Sequence, residues 1–269
     1  MTSLPVFLGS TWAVLAVLML CAYAVARRFR DAGVVDVTFA FGFGAAGVAA
    51  AIAFDGDATR RWILGGLCAA WGARLGIHLA STRVLRGHED GRYAILREQW
   101  GAGAEPKFFA FFQVQALLVA GLALGPALVA RRPESFGSAQ DLVALALFAS
   151  SVVGSAVADA QLARFRTQPE HRGRTCRSGL WAYSRHPNYF FEWLHWLAYC
   201  AWAWGAPGSW LAWLPAAAMT YFMLAVTGIP PTEAQALRSR GDDYRRYQRE
   251  VSAFVPWLPR ASRTESRTN

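Results

Sequence analysis

The chain has 269 residues, of which 54% are hydrophobic, with 12 Trp, 17 Phe and a formal charge of +9. Its apolar residues fall in long runs, which exclude an ordinary soluble globular protein and point to a chain that crosses a membrane repeatedly. The basic residues are scattered between those runs without a recognisable binding motif, so nucleic acid is excluded as a partner.

Seven spans are expected, at about 6–26, 35–54, 62–82, 108–130, 142–159, 189–204 and 210–229. Each is near the ~20 residues needed to cross ~30 Å of hydrocarbon. The first is too long for the apolar part of a cleavable signal and lacks a basic flank before it. Placing the N-terminus outside puts 22 of the 27 basic residues on the inner side and leaves Arg60, Arg61, Arg131 and Arg132 outside, with Arg74 within a span. That asymmetry is the usual mark of orientation. The expected fold class is therefore all-α: a polytopic helical bundle forming one membrane domain over 1–260, with a cytoplasmic C-terminus and a disordered tail at 261–269. A single Lys among 27 basic residues fits a GC-rich bacterial genome, in which case the membrane is the inner one. The positive charge reads first as topology and attraction to anionic headgroups. Its sharper reading is an anionic cofactor held by the inner loops.

Within span two, Gly42-Phe-Gly-Ala-Ala-Gly47 matches a dinucleotide fingerprint by letters. It has no strand before it and no soluble βαβ unit around it, so it reads as small residues for close helix packing. Arg74 and His78 lie four apart in span three and share a face. They form either an internal polar pair with a carboxylate such as Asp36, or a group that polarises a substrate. Cys21, Cys68, Cys176 and Cys200 show no C-x-x-C spacing, so neither zinc nor a disulfide framework is indicated, and no metal is expected.

The inner segments at 82–107, 159–187 and beyond 230 are the ones long enough to shape a pocket. Asp159 is expected to end span five, where a carboxylate opposes the helix dipole and needs a partner such as an arginine or ribose hydroxyls. Gly179-Leu-Trp-Ala-Tyr-Ser-Arg-His-Pro-Asn-Tyr-Phe-Phe-Glu192 then places Arg185, His186, Asn188 and Tyr189 where a loop meets an apolar helix. Polar side chains at a membrane boundary are costly without a ligand or partner. Glu192 and His195 share a face one turn further on and are read as part of the same ligand site. In the tail, Tyr244 and Tyr247 share a helix face with Arg240 nearby. They suit either an amphipathic helix on the membrane or a lid that grips phosphates.

The 179–192 segment, with Asp159 upstream and Tyr244, Tyr247 and Phe254-Val-Pro256 downstream, resembles the C-terminal part of the steroid 5α-reductase-like superfamily. The nearest resemblance is to the bacterial membrane proteins grouped with those reductases. Trp71-Gly-Ala-Arg-Leu75 and Glu89-Asp-Gly-Arg-Tyr93 look like that subgroup, and sterol C14 reductases share Arg-His-Pro-Asn-Tyr. The similarity is clear over about 154–259 and weaker before it. It implies a seven-span fold, NADPH held from the cytoplasmic side, and hydride delivery to the C=C bond of a lipidic enone such as a 3-oxo-Δ4-steroid. By position it implies cofactor contacts for Asp159, Arg166, Asn188 and Glu192, with Tyr183, Arg185, His186, Tyr189, Tyr244 and Tyr247 as further members. The substrate chamber is expected mainly in spans one to four.

Steroid reductases polarise the ketone with a glutamate of span two and a tyrosine of span three. This chain has no clear equivalents, and Asp36 and His78 are the expected catalytic pair. Membrane methyltransferases acting on isoprenylcysteine or phospholipid also carry Arg-His-Pro-x-Tyr and use S-adenosylmethionine. Their tails have paired glutamates where this chain reads Glu233-Ala234. A methyltransferase stays as the alternative, and a non-catalytic sterol- or lipid-binding protein as a third. The expected partners are a hydrophobic small molecule and membrane lipid, and the expected state is a monomer.

Overall fold

The structure is a computed structural model that describes residues 2–82, 84–86 and 89–260. The tail expected at 261–269 lies outside the described residues. No strand occurs among the described residues, and the chain is all-helical. Six helical runs are long and apolar enough to cross a membrane, which makes this a multi-pass membrane protein. The chain divides into two compact units, Met1–Ser138 with Ala203–Pro215, and Ala139–Trp202 with Ala216–Asn269.

The first unit is built from α1 (Leu4–Phe29), α2 (Val34–Ala53), α3 (Ala58–Thr82), α4 (Gly91–Trp100), α5 (Ala104–Leu122) and α6 (Leu124–Ala130). Pro5 stands in the first turn of α1, where its missing N–H costs nothing. Arg30 closes the helix in the left-handed conformation at φ 54°. The expected packing role of 42–47 is what the structure has. A methyl group added at Gly44 would lie 3.0 Å from the Cys68 carbonyl of α3, and one at Gly72 would lie 2.6 Å from the Ala40 carbonyl of α2. Gly42 instead faces Leu15 of α1. The glycines therefore let α2 and α3 approach at backbone contact and give the Leu15 side chain of α1 room against α2.

At the other end of this unit, Arg60 is fully buried and donates to the carbonyls of Arg132, Glu134 and Ser135. Arg61 donates to the carbonyls of Ala51 and Phe54 at the end of α2. These carbonyls are groups a helix end or turn leaves unsatisfied. Two of the four arginines outside the basic majority thus have structural work.

The second unit holds α7 (Ala139–Thr167), α8 (Pro187–Ala203), the end of α9 (Trp213–Tyr221), a π turn at Phe222–Val226, α10 (Ile229–Arg240) and α11 (Asp242–Glu250). α8, expected as a seventh span, is 17 residues long, at the short limit for a crossing. α7 runs eight residues past Asp159, which corrects the expected helix end. The stretch Ala160-Gln-Leu-Ala-Arg-Phe-Arg-Thr167 contains no Gly or Pro and is rich in strong helix formers. Arg164 and Arg166 consequently occupy the last turn, where cations suit the dipole. The loop after α7 folds back on it: the Trp181 indole donates to the Ala158 carbonyl, and the Leu180 amide to Gln161.

Candidate functional site

α10 and α11 close the loop through one carboxylate. Glu233 accepts from Arg185 Nε at 2.6 Å and Gln248 Nε2 at 2.8 Å. His186 Nε2 lies 3.2 Å from it and the Tyr244 hydroxyl donates at 3.3 Å. Arg185 also donates through Nη1 to the carbonyls of Gln248 and Val251, and its amide donates to the Ser252 carbonyl. Tyr247 donates its hydroxyl to the carbonyls of Trp181 and Ser184. Both tyrosines are buried with Ala236 and Val251. Burial, with a charged or phenolic neighbour, raises both phenols above their ordinary range, so they stay protonated donors. The structure thus turns these two tyrosines inward, where sequence suggested a membrane face or a phosphate grip.

Asp159 finds its partner in Asn188, where sequence suggested an arginine or ribose hydroxyls. Asn188 Nδ2 donates to Asp159 Oδ1 at 3.0 Å, and its Oδ1 accepts the Tyr189 amide. Tyr189 stacks on His186 with ring centroids 5.3 Å apart and bonds Thr232 through its hydroxyl. Glu192, half-buried, lies one turn further along α8 on the Asn188 face. Tyr183 is exposed, and its carbonyl accepts the Trp257 amide. His195 departs from its expected place. It is fully buried among Phe148, Trp196 and Tyr199 and bonds the Tyr199 hydroxyl at 3.0 Å, so it belongs to the core.

Arg166 lines a cavity of about 200 Å³ with Arg172, Arg174, Arg240 and His171, and no carboxylate contributes to its wall. None of these four arginines has an ion pair among the described residues. His171 is fixed by stacking on Phe165 at 4.1 Å, and Arg240 lies over the Tyr244 ring. Sequence reasoning missed Arg172 and Arg174. Their signal was the cluster Arg172-Gly-Arg-Thr-Cys-Arg177, three arginines within six residues. Of these only Arg177 meets carboxylates, those of Glu250 and Asp243. Asp159, Leu162 and Arg166 lie at i, i+3 and i+7 on one face of α7. That face runs about 10 Å from the Asp159–Asn188 pair to the cavity.

The first unit has a separate polar cluster. Tyr93, buried, donates to Asp36 Oδ1 at 2.8 Å, and Arg92 donates to Asp36 Oδ2 at 2.9 Å. Both Asp36 oxygens therefore accept, as an ionised carboxylate does. Glu89 accepts from the Ala32 amide and from Arg97, so the Glu89–Tyr93 motif wraps the turn between α1 and α2. His78 is exposed on α3, and Asp36 begins α2, which packs antiparallel to α3 with Phe41 against Gly76. Both expected catalytic residues thus occupy the same end of the α2–α3 pair.

The profile of the family described as "Protein of unknown function (DUF1295)" matches residues 22–251. No curated protein and no solved structure matches the chain significantly. The chain belongs to the DUF1295 family, a family of membrane proteins.

Proposed function

We propose that this DUF1295 member is an NADPH-dependent membrane reductase acting on the C=C bond of a lipidic enone, with 3-oxo-Δ4-steroids the first class to test. In this reading α8 is the seventh span, the N-terminus lies outside, and the arginine cavity faces the cytoplasm. The observation that carries it is the cavity: four arginines and a histidine, with no carboxylate in the wall. Guanidinium groups gathered this way repel one another until an anion joins them, and they bind phosphate with directional paired hydrogen bonds.

The fit is to part of a dinucleotide. About 200 Å³ is below the ~300–1,000 Å³ of whole-ligand pockets, so the cavity suits a phosphate-bearing end. The rest would follow the α7 face toward Asp159 and Asn188. When bound, NADPH supplies the hydride. Asn188, fixed by Asp159 and the Tyr189 amide, offers an oriented amide for a carboxamide partner. In the first unit, Tyr93 has a hydroxyl to offer a substrate carbonyl in exchange for Asp36, whose charge Arg92 continues to balance.

S-adenosylmethionine offers these arginines one carboxylate and no phosphate, so four of them around one cavity suit a dinucleotide better than that methyl donor. Mass spectrometry of nucleotide retained by the purified protein separates the readings. NADPH supports the reductase, S-adenosylmethionine or its product the methyltransferase, and neither the non-catalytic binder. Arg174→Gln and Asn188→Ala are expected to weaken NADPH binding at least ten-fold without loss of fold. Unchanged affinity in both variants refutes the assignment.

A further inference from the structure

The tail frames a second cavity, of about 290 Å³, with a different chemistry. Of its charged groups, Arg185 is bonded to Glu233, and Glu250 to Arg177 at 2.6 Å. Arg249 and Arg260 remain, both exposed and without an ion pair among the described residues. The same cavity is lined by Trp257 and Leu258, which are 72% and 74% exposed. Val255 beside them is 50% exposed. Exposed apolar side chains this large at one cavity, with another exposed apolar residue two positions away in the chain, are poorly solvated by water.

Their depth follows from the neighbouring Phe254. Its ring packs on Phe190 and Trp193 of α8, with centroids 5.8 and 5.6 Å apart. The Trp257 amide is tied to the Tyr183 carbonyl at 2.9 Å. The tail therefore runs beside the first two turns of an apolar helix, and, with α8 taken as the seventh span, those turns stand at a membrane interface. Trp and Leu at that height enter the acyl boundary, while arginine reaches the phosphate level.

We propose that this cavity binds the headgroup phosphate of an anionic phospholipid, with Arg249 and Arg260 on the phosphate and Trp257 and Leu258 against the acyl chains. The proposal shares with the reductase reading the placement of α8 as a span, but it uses none of the residues assigned to the nucleotide. It also gives one use to tail arginines that topology alone does not distinguish.

The test is native mass spectrometry of the full chain in zwitterionic detergent, titrated with phosphatidylglycerol or phosphatidylcholine of equal chain length. The wild type is expected to retain phosphatidylglycerol at least ten-fold better. Each of Arg249→Gln and Arg260→Gln is expected to reduce that retention about five-fold, and the double variant to bring it near the phosphatidylcholine level. Trp257→Ser is expected to weaken both lipids. Arg174→Gln, in the other cavity, leaves retention unchanged. Since the two arginine side chains are exposed, all variants should melt with the wild type. Equal retention of the two lipids by the wild type, or no loss in the double variant, overturns the proposal. Displacement of the lipid by millimolar inorganic phosphate also overturns it, because the site would then select phosphate without lipid.

Discussion

Replacing Glu233 is the sharpest perturbation of the second unit. Its carboxylate gathers Arg185, His186, Tyr244 and Gln248, joining the loop before α8 to α10 and α11. The Arg185 and Glu233 side chains are 12% and 15% exposed, so solvent screens the pair weakly. Removing one partner of a buried pair costs about 3–5 kcal/mol. Here Arg185 keeps its bonds to the carbonyls of Gln248 and Val251, which limits the loss. We expect about 3 kcal/mol for Glu233→Ala. For Glu233→Gln we expect about 2 kcal/mol, because an amide oxygen can still accept from Arg185 while the amide nitrogen cannot accept from Gln248. The assay is reversible unfolding in mixed micelles, run as a double-mutant cycle with Arg185→Gln. A coupling energy above about 1.5 kcal/mol is expected for charged partners in contact. Coupling below about 0.5 kcal/mol refutes the view that this carboxylate holds the segment together.

Two further outcomes follow from local geometry. Gly72→Ala must force its methyl group against the Ala40 carbonyl and is expected to cost about 1–3 kcal/mol. Gly66→Ala, on the same helix with nothing within 4 Å, is expected to be neutral or slightly stabilising in the same unfolding assay. Asp243 bears on pH. Burial alone would raise its pKa, but hydrogen bonds from Thr175 and the charges of Arg177 and Arg246 outweigh this and lower it. A depressed carboxylate contributes stability above its ordinary value of about 4 and loses it as pH falls through the folded value. Melting of the wild type from pH 7 to 3 should therefore show an acid-limb loss that Asp243→Asn lacks, with the two curves converging at the acid end. Parallel curves would show that the Thr175 contact contributes nothing.

Much of the fold was legible because membrane physics is coarse. Apolar runs of about 20 residues located α1, α2 and α3 within a few positions, and small residues at Gly42, Gly44 and Gly47 announced close packing. Apolarity does not mark the end of α7. The helix continues through Arg164 and Arg166 on propensity after the apolar run stops. The burial of His195 is not legible because periodicity gives a face but not what covers it. Tyr93 belongs to the Glu89–Tyr93 motif, yet its bond to Asp36 joins residues 57 positions apart. No local pattern encodes such a pairing.

The arginines of the second unit carry the remaining lesson. By composition and topology alone, Arg166, Arg172, Arg174, Arg177, Arg185 and Arg240 are equivalent: all basic, all near apolar runs, all consistent with orientation; only the family resemblance singles out Arg166 and Arg185. The structure separates them by carboxylate supply. Glu233 takes Arg185, while Glu250 and Asp243 take Arg177. Those three acids lie on α10 and α11, and none reaches the cavity that Arg166, Arg172, Arg174 and Arg240 share. A cation with a built carboxylate partner has its charge balanced by the fold. Four cations around one cavity without such a partner leave an imbalance that only an external anion, or bulk counter-ions at a cost in salt sensitivity, can offset. The distinction predicts opposite responses to ionic strength: the Glu233 latch, weakly exposed, should change little with added salt, whereas anion binding at the four-arginine cavity should weaken steeply.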